Sequence, residues 1–392
     1  MGRRVAIVGT GQTPYMRRRR DVSVPELVHE AAKRALDDAG LTFNDIDAVV
    51  FGTAPEAFEG VNCPDKWAAD GVGALNKPFM RINTGGATGG STALAGVHHV
   101  ASGLFNVVLA VAMQRVGQTP VAQRILGLIW DPIFTRGFSL NLITTIAMAT
   151  TASMRRFGHT EWHMARISVK DHQNALNNPY AHRKRQIGID DVLNSPVLCW
   201  PIKYLDCCPS SDGACAVIFA SEERAKRITA TPAWVIGMGA TSHVSTPGEE
   251  DGEEAVGSLA AAKAYRMAGI DNPRRQISVV EPYDPFSMAE IGLYESLGFC
   301  KDPREATKMV EDGFAEMTGE VPFSPSGGVL CSNPIGATAL VRVAEAALQI
   351  MGKAEKHQVP DAKVALAMGA GGSPAPGSAT FINFMILAKE PR

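Results

Sequence analysis

Three side chains stand in motifs that allow acid–base chemistry on a carbonyl compound. Tyr283 and Asp284 lie between two prolines, directly after an apolar run that predicts a buried strand. A free tyrosine has a pKa near 10, so Tyr283 serves more readily as an acid than as a base unless its phenolate is stabilised. Asn333 precedes Pro334 and can donate a side-chain N–H to a substrate oxygen. These residues therefore indicate proton transfer beside a stabilised oxyanion.

Each candidate also has a purely structural interpretation. Asn-Pro commonly starts a turn, and a tyrosine between prolines can pack in a loop with its hydroxyl on the backbone. For Asp284 we favour a loop-bracing hydrogen-bond acceptor over a catalytic base. One of His163 and His172 can reach a binding pocket as a base or contact a ligand. His159 and His163 are four residues apart but have no further ligand beside them, so we predict no metal site.

The elements that would position these residues alternate between strands and helices. In the first half, predicted strands lie at residues 5–8, 46–51, 79–82 and 107–113, and predicted helices at 25–39 and 91–101. In the second half, strands are predicted at 234–237, 277–280 and 364–368, and helices at 256–267, 287–297 and 336–350. This alternation predicts an α/β fold with parallel βαβ units, and the repeated order suggests an internal duplication.

The order of elements divides the chain into two halves and an insertion. Residues 1–116 together with 205–225 form the first half, and residues 226–392 form the second. Residues 117–204 show few strand signals and hold His163 and His172. We predict a helical and loop insertion over the binding site, because loops that follow the strands of an α/β sheet usually build that site. Its Met, Leu, Ile and Phe content permits a large apolar ligand.

Composition argues against several classes of protein. The 392 residues carry a formal net charge of -2, which gives no global field favouring nucleic acid or an anionic membrane. No uncharged apolar run reaches the roughly 18 residues that suggest a membrane span, and no signal peptide is visible. The seven cysteines are odd in number and scattered, without a C-x-x-C pair. That pattern favours the reducing cytoplasm over a disulfide framework or a four-cysteine zinc site.

Five segments in this order resemble motifs of the thiolase superfamily. The segment 83–94 (NTGGATGGSTAL) resembles the turn that carries the thiolase nucleophile, and 201–217 (PIKYLDCCPSSDGACAV) is similar to the family's P-x-x-x-x-D-C-x-P-x-S-D-G-A-A-A-V strand motif. The segment 281–286 (EPYDPF) stands in place of N-E-A-F or H-D-A-F. The segment 326–338 (SGGVLCSNPIGAT) replaces G-G-x-x-x-x-G-H-P-x-G-A-T, and 369–372 (GAGG) replaces C-x-G-G. The resemblance implies two duplicated βαβαβαββ halves in a layered α-β-α-β-α sandwich.

The departures from those motifs remove the residues that a thiolase needs. In the alignment, Gly86 replaces the nucleophilic cysteine of the family and Asn333 replaces the histidine that activates it. Gly369 replaces the second cysteine. Cys207, Cys208 and Cys215 are predicted to be core residues, and Cys331 is a candidate for the pocket because it lies close to Asn333. Without a thiolate the covalent acyl-enzyme of the family cannot form.

An oxyanion site can survive these losses. The resemblance implies that loops near Gly86, Gly369 and Gly371 hold a thioester carbonyl and stabilise its enolate. Asn333 can still donate to that oxygen, and such a donor contributes on the order of 3 kcal/mol to a transition state. An enolate site without a nucleophile suits retro-aldol cleavage of a β-hydroxyacyl-CoA, which needs an acid and a base but no covalent step.

One group within the superfamily also replaces the cysteines and carries a Tyr-Asp-x-Phe motif, which residues 283–286 match. It comprises the thiolase-like aldolases that cleave steroid side chains as CoA thioesters. The resemblance implies a small zinc-ribbon and OB-fold partner that completes the CoA site, with the zinc belonging to the partner. It implies a homodimer through the thiolase core, for which the strand at 107–113 is apolar enough to pair between subunits. Coenzyme A enters as part of the substrate, and no covalently bound cofactor is expected.

Three functions compete at this point. The first is the carbon–carbon lyase, with Tyr283, Asn333 and Asp284 as catalytic candidates and His163, His172, Cys331 and Gly371 as substrate contacts. The second is a non-catalytic thiolase-like subunit or lipid carrier in a heteromeric complex, suggested by the loss of all three family residues. The third is an acetyl-CoA acyltransferase, which ranks last because residues 64–198 contain no cysteine.

Overall fold

A computed structural model describes residues 2–133, 137, 141–244, 252–372 and 379–391. Within them the strands are β1 (Val5–Gln12), β2 (Ala48–Gly52), β3 (Phe79–Ile82), β4 (Val107–Arg115), β5 (Val197–Cys199), β6 (Ile202–Lys203), β7 (Asp212–Ser221), β8 (Ala233–Val244), β9 (Val279–Glu281), β10 (Val364–Gly371) and β11 (Ala379–Ala388). The helices are α1 (Val24–Ala39), α2 (Asp65–Gly71), α3 (Thr88–Ala101), α4 (Ala122–Leu126), α5 (Leu142–Phe157), α6 (Glu161–Ala175), α7 (Ile189–Leu193), α8 (Glu222–Ile228), α9 (Gly252–Ala268), α10 (Pro273–Gln276), α11 (Ser287–Ser296), α12 (Pro303–Glu311), α13 (Gly328–Cys331) and α14 (Ile335–Met351).

The main sheet repeats one strand arrangement. Its order is β3-β2-β4-β7-β1-β8-β11-β10-β9, and β1 joins β8 through the antiparallel pairs Ala6↔Trp234 and Ile7↔Ala233. In the first half β2 is parallel to β4, and β4 and β1 are antiparallel to β7. In the second half β9 is parallel to β10, and β10 and β8 are antiparallel to β11. A parallel bridge between Val280 and Phe323 stands where β3 stands in the first half. The topology therefore confirms the predicted duplication.

Helices α3 and α14 form the central layer. They pack on each other and on strands from both halves, while α1 covers the outer face of the first half and α9 that of the second. Most of α14 is buried, as expected for a helix enclosed between two sheets. The result is the predicted α-β-α-β-α sandwich.

Paired glycines bring the outer helices onto the sheet and show the duplication at the level of single residues. A Cβ on Gly9 would lie 2.6 Å from the Ala35 carbonyl of α1, and a Cβ on Gly237 would lie 2.5 Å from the Ala264 carbonyl of α9. Only glycine allows this approach. The sequence predicted that the first strand ends before Gly9, which is wrong, because β1 continues to Gln12 and uses its glycines for packing.

The predicted pairing of the strand at 107–113 between subunits is contradicted. β4 lies inside the sheet with β2 on one side and β7 on the other, so its backbone groups are already paired. The edge strand on this side is β3, on which Met80 is 45% exposed.

Between β4 and β7 the described residues form helices α4 to α7 and the β5–β6 hairpin. Helices α5 and α6 pack against α11 and α12, so these two helices lie over the second half. In the described ranges no helix combines the length and apolarity needed to cross a membrane.

Candidate active site

A cavity of about 1620 Å³ opens where the motifs meet. Gly86 lines it from the loop before α3, Tyr283 from the loop between β9 and α11, Asn333 from the turn before α14, and Gly371 from the end of β10. Four of the predicted site residues are thus brought together from distant parts of the sequence. The described residues that line the cavity include no carboxylate and no imidazole.

Tyr283 occupies the space that a side chain at position 86 would need. A Cβ built on Gly86 would lie 2.8 Å from the Tyr283 hydroxyl oxygen and 2.7 Å from the Ala370 carbonyl oxygen. Both contacts are too close for a carbon atom, so a cysteine at 86 and the tyrosine hydroxyl exclude each other. A side chain at position 86 would therefore need both the Tyr283 hydroxyl and the Ala370 carbonyl to shift.

The Tyr283 hydroxyl faces the cavity. Its side chain is 8% exposed, and no described residue hydrogen-bonds to its oxygen. Burial, with a smaller effect of the neighbouring Cys208 thiol, raises its pKa well above that of a free phenol. Tyr283 therefore carries a neutral hydroxyl that can donate a proton, and it is not ionised to the phenolate.

The backbone around Tyr283 is fixed by a neighbouring strand motif. The Cys208 N–H donates to the Pro285 carbonyl at 2.9 Å, and a bridge joins Cys207 to Phe286. These contacts hold the end of the loop that leads into α11. The flanking prolines predicted a loop, but only the tertiary contacts set which way Tyr283 points.

Hydrogen bonds to both its backbone and its side chain orient Asn333. Its backbone N–H donates to Ser211 Oγ at 3.1 Å, and its side-chain oxygen accepts from the Thr338 hydroxyl at 2.7 Å. The amide nitrogen consequently points into the cavity, where one N–H meets Cys208 Sγ at 3.0 Å. The second N–H has no partner among the described residues and can serve a substrate oxygen.

Cys208 is among the lining residues that the sequence analysis missed. The strand motif predicted it to be core, yet it lines the cavity together with Cys207, whereas Cys215 is fully buried within the sheet as predicted. The position is variable in the motif, so the sequence offered no signal for it. Burial raises the pKa of the Cys208 thiol, which is therefore protonated and a poor nucleophile.

Asp284 lies beneath the Tyr283 loop, outside the cavity lining. It is fully buried, and the Ser324 hydroxyl donates to Oδ2 at 3.3 Å. Its carboxylate lies close to those of Asp171 and Glu290, and one oxygen from each lies within 4.8 Å of the others. This spacing would suit a metal ion, but the Lys170 ammonium already lies 2.9 Å from Asp171 Oδ1 and 2.7 Å from Glu290 Oε2. The position contradicts direct catalysis by Asp284 and supports loop bracing.

Gly369 is also placed away from the cavity. A side chain there would meet Asn383 and Ala339, whereas Met368 and Ala370 line the cavity from the same strand. A side chain at Gly369 would therefore point away from the cavity, between Asn383 and Ala339.

The two predicted histidines and Cys331 are structural. His163 Nδ1 accepts from the Thr160 N–H at 3.1 Å, and its Nε2 lies 3.1 Å from Glu311 Oε1, so it caps α6. His172 Nδ1 pairs with the Ser168 carbonyl at 2.9 Å, and burial lowers the pKa of His172 to about 4. Cys331 is fully buried against Ala175 and Ala181. None of the three lines the cavity, so the prediction that they contact substrate is wrong.

Asp284→Asn is expected to gain stability relative to the wild type as pH rises. Burial, followed by the charge of Glu290, raises the pKa of Asp284 from 3.8 to about 7. Between these values the folded chain keeps a proton that the unfolded chain has released, so this group's contribution to stability falls as pH rises. The asparagine does not titrate. The difference in free energy of unfolding should therefore grow by a few kcal/mol between about pH 4 and 7 and then level off.

Urea denaturation across this pH range measures the effect. Asp190→Asn, at an exposed position on α7, controls for the substitution itself. A difference that does not change with pH would show that Asp284 has the same protonation in the folded and unfolded chain.

Comparison with known proteins agrees with this geometry. Residues 5–189 match the family described as thiolase, N-terminal domain, and residues 239–382 match the thiolase C-terminal domain-like family. The acetyl-CoA acetyltransferase of Methanothermobacter thermautotrophicus is 30% identical over 375 residues, which cover 95% of this chain and 97% of that protein. The chain belongs to the thiolase superfamily.

Two further relatives resemble this thiolase-superfamily chain over nearly its whole length. Sterol carrier protein 2 of Gallus gallus is 30% identical over 401 residues, covering 95% of this chain and 71% of that protein. The solved structure named Ltp2-ChsH2(DUF35) aldolase superposes with a TM-score of 0.80 at 26% identity, covering 98% of each chain. The predicted resemblance to the thiolase superfamily is thus confirmed, and its relatives include sterol carrier protein 2.

Proposed function

We propose that this chain is a carbon–carbon lyase that cleaves a β-hydroxyacyl-CoA by a retro-aldol reaction. The observation that carries the proposal is the Tyr283 hydroxyl, which occupies the space of a side chain at Gly86. A proton carrier thus stands at the position where the family places its nucleophile. The likeness to a solved aldolase over nearly the whole chain supports the same reaction class.

The reaction can proceed by a proton relay through Tyr283. The phenol donates its proton to Cα of the substrate while its oxygen takes the proton of the β-hydroxyl. The Cα–Cβ bond breaks, the β-carbon becomes a ketone or aldehyde, and Cα gains a hydrogen in the shorter acyl-CoA. Tyr283 ends as it began, so no free phenolate is needed, consistent with the direction of its pKa.

Asn333 is proposed to stabilise the thioester enolate that develops during the cleavage. Its free N–H is held in place by the hydrogen bonds from Thr338 and to Cys208, so no reorganisation is needed when charge appears. The backbone near Gly86 is the second candidate for this oxyanion site. Asp284 braces the Tyr283 loop and takes no part in proton transfer.

The apolar wall of the cavity supports a bulky acyl group. Helix α5 contributes Leu142, Ile143 and Ile146, and helix α11 contributes Met288 and Leu293. Pockets lined mainly by such side chains bind apolar ligands, and the cavity volume exceeds that of a typical small-molecule site. We propose a steroid-like or similarly large acyl part as the substrate class.

The acyltransferase alternative has little support in the cavity. The thiols that line it are Cys207 and Cys208, and burial raises the pKa of both. A neutral thiol is a weak nucleophile, and the described lining offers no histidine to activate it.

We propose that the lyase acts in the cytoplasm as a homodimer with a small zinc-ribbon and OB-fold partner. The β5–β6 hairpin at the rim of the cavity exposes Val197, Leu198 and Trp200 by 58%, 44% and 59%. Contiguous exposed apolar residues commonly mark a protein interface. The name of the solved aldolase includes ChsH2(DUF35), which is compatible with a partner of this kind.

A direct assay tests the function. The chain, with any partner that co-purifies, is incubated with a tertiary β-hydroxyacyl-CoA, and the products are separated by mass. We expect a ketone and a shorter acyl-CoA in equal amounts. Binding of the CoA thioester without turnover of any such substrate would instead favour the non-catalytic subunit. Asn333→Ala should lower kcat by about 100-fold in the first case and leave the activity of a complex unchanged in the second.

A further inference from the structure

One face of helix α5 lines the cavity. Leu142, Ile143, Ile146 and Ala149 are followed at helical spacing by Ser153. The lining from α5 is apolar up to this serine, and beyond it Arg155 and Arg156 also line the cavity. The Ser153 hydroxyl is anchored, because its oxygen lies 3.0 Å from His159 Nε2.

His159 fixes which way that hydrogen bond runs. The imidazole is 2% exposed, and burial, followed by the charge of nearby His163, lowers the pKa of His159 to about 4. It is therefore neutral at pH 7 and carries one N–H. Its Nδ1 is buried without a partner among the described residues. An orphaned N–H is rarer in proteins than an orphaned acceptor, so the proton belongs on Nε2 and is donated to Ser153.

This arrangement leaves the proton of Ser153 available. Thr150 and Thr151 of the same helix donate their hydroxyl protons to carbonyls one turn earlier, at 2.7 and 2.9 Å. Within the described chain Ser153 makes no such bond, and its hydrogen-bond partner is His159. Ser153 thus presents an oriented donor to the cavity.

Helix α5 sets how far the Ser153 hydroxyl lies from the residues that pack next to the Tyr283 loop. The first turns of α5 pack with Cys207 and Phe286, next to the Tyr283 loop. Ser153 is seven residues beyond Ile146, which corresponds to about 10 Å along a helix axis. An acyl group that extends along α5 from the reacting carbon would therefore place its far end beside Ser153.

We infer that Ser153 recognises a ketone or hydroxyl oxygen at the distal end of a bulky acyl group. This specificity contact rests on the proposed function, because it assumes that the acyl part of a CoA thioester lies along α5. An apolar pocket discriminates weakly by shape, whereas a placed hydrogen-bond donor separates a ligand with an oxygen from one without it.

Binding of two matched acyl-CoA thioesters tests the inference. They share the β-hydroxyacyl end and the apolar body and differ only in a ketone or a methylene group at the far end. By titration calorimetry we expect wild type to bind the ketone about three- to ten-fold more tightly, the range for one net hydrogen bond. Ser153→Ala should abolish this preference and leave the affinity for the methylene compound unchanged.

Thr150→Val is the matched control, since it removes a buried hydroxyl from α5 that bonds within the helix. It should keep the preference for the ketone. The inference is overturned if wild type binds both thioesters equally, if it binds neither, or if the preference survives in Ser153→Ala. Alanine is a strong helix former, so loss of the fold would not explain a change at this position.

The same measurement separates this inference from the proposed reaction, because affinity does not require turnover. A ketone preference that depends on Ser153, without cleavage of either thioester, would retain the specificity contact and reject the lyase. Cleavage of both thioesters with equal affinity would retain the lyase and reject the contact.

Discussion

Tyr283→Phe is expected to lower kcat for β-hydroxyacyl-CoA cleavage by at least about 100-fold, the range for loss of a general acid or base. The hydroxyl is the group that stands beside Gly86, and the ring that positions it is packed into the cavity wall. Phenylalanine keeps the ring and removes the proton carrier. The affinity for the CoA thioester, measured without turnover, should therefore change little although kcat falls.

Tyr265→Phe provides the matched control. Its hydroxyl donates to the Leu297 carbonyl at 2.9 Å, away from the cavity, so its loss should reduce stability by about 1 kcal/mol and leave kcat intact. If Tyr283→Phe retains wild-type kcat in an active preparation, the relay through the phenol is excluded. Equal losses of affinity and rate would instead point to a packing role for the ring.

Lys170→Met is expected to lower the free energy of unfolding by about 3–5 kcal/mol. Lys170 is 5% exposed and donates to Glu290 Oε2 at 2.7 Å and to the Phe323 carbonyl at 3.1 Å. Burial alone lowers the pKa of Lys170, but Asp171 and Glu290 outweigh it and raise the pKa overall, so the lysine stays charged. Without it, buried carboxylates face one another beneath the Tyr283 loop with no neighbouring ammonium.

Lys226→Met on α8 is the matched control. Lys226 pairs with Glu222 four residues earlier at 2.7 Å, but its side chain is 60% exposed, and surface pairs of this kind contribute at most a few tenths of a kcal/mol. Chemical denaturation of both variants at neutral pH measures the contrast. Equal effects of the two substitutions would mean that the buried carboxylates are protonated and do not need the lysine.

The sequence by itself determined the fold and the missing chemistry. Strand and helix signals depend on local apolar spacing and on glycines that end elements, so most of the order of elements could be predicted, although β11 was missed. The superfamily motifs lie in short contiguous segments, which made the replacement at Gly86 visible without coordinates. The same motifs placed Tyr283 and Asn333 in one site, and the structure brings both to the cavity.

Only the tertiary structure decided which side chains reach the cavity and in what state. Asp284 adjoins Tyr283 in sequence but lies beneath the loop, and Gly369 faces away because neighbours on a strand point to opposite sides. Cys208 and Ser153 line the cavity because distant segments pack around them, which no local pattern encodes. Burial also sets protonation: the same tyrosine is an ordinary phenol in an unfolded chain and a persistently neutral donor inside this cavity.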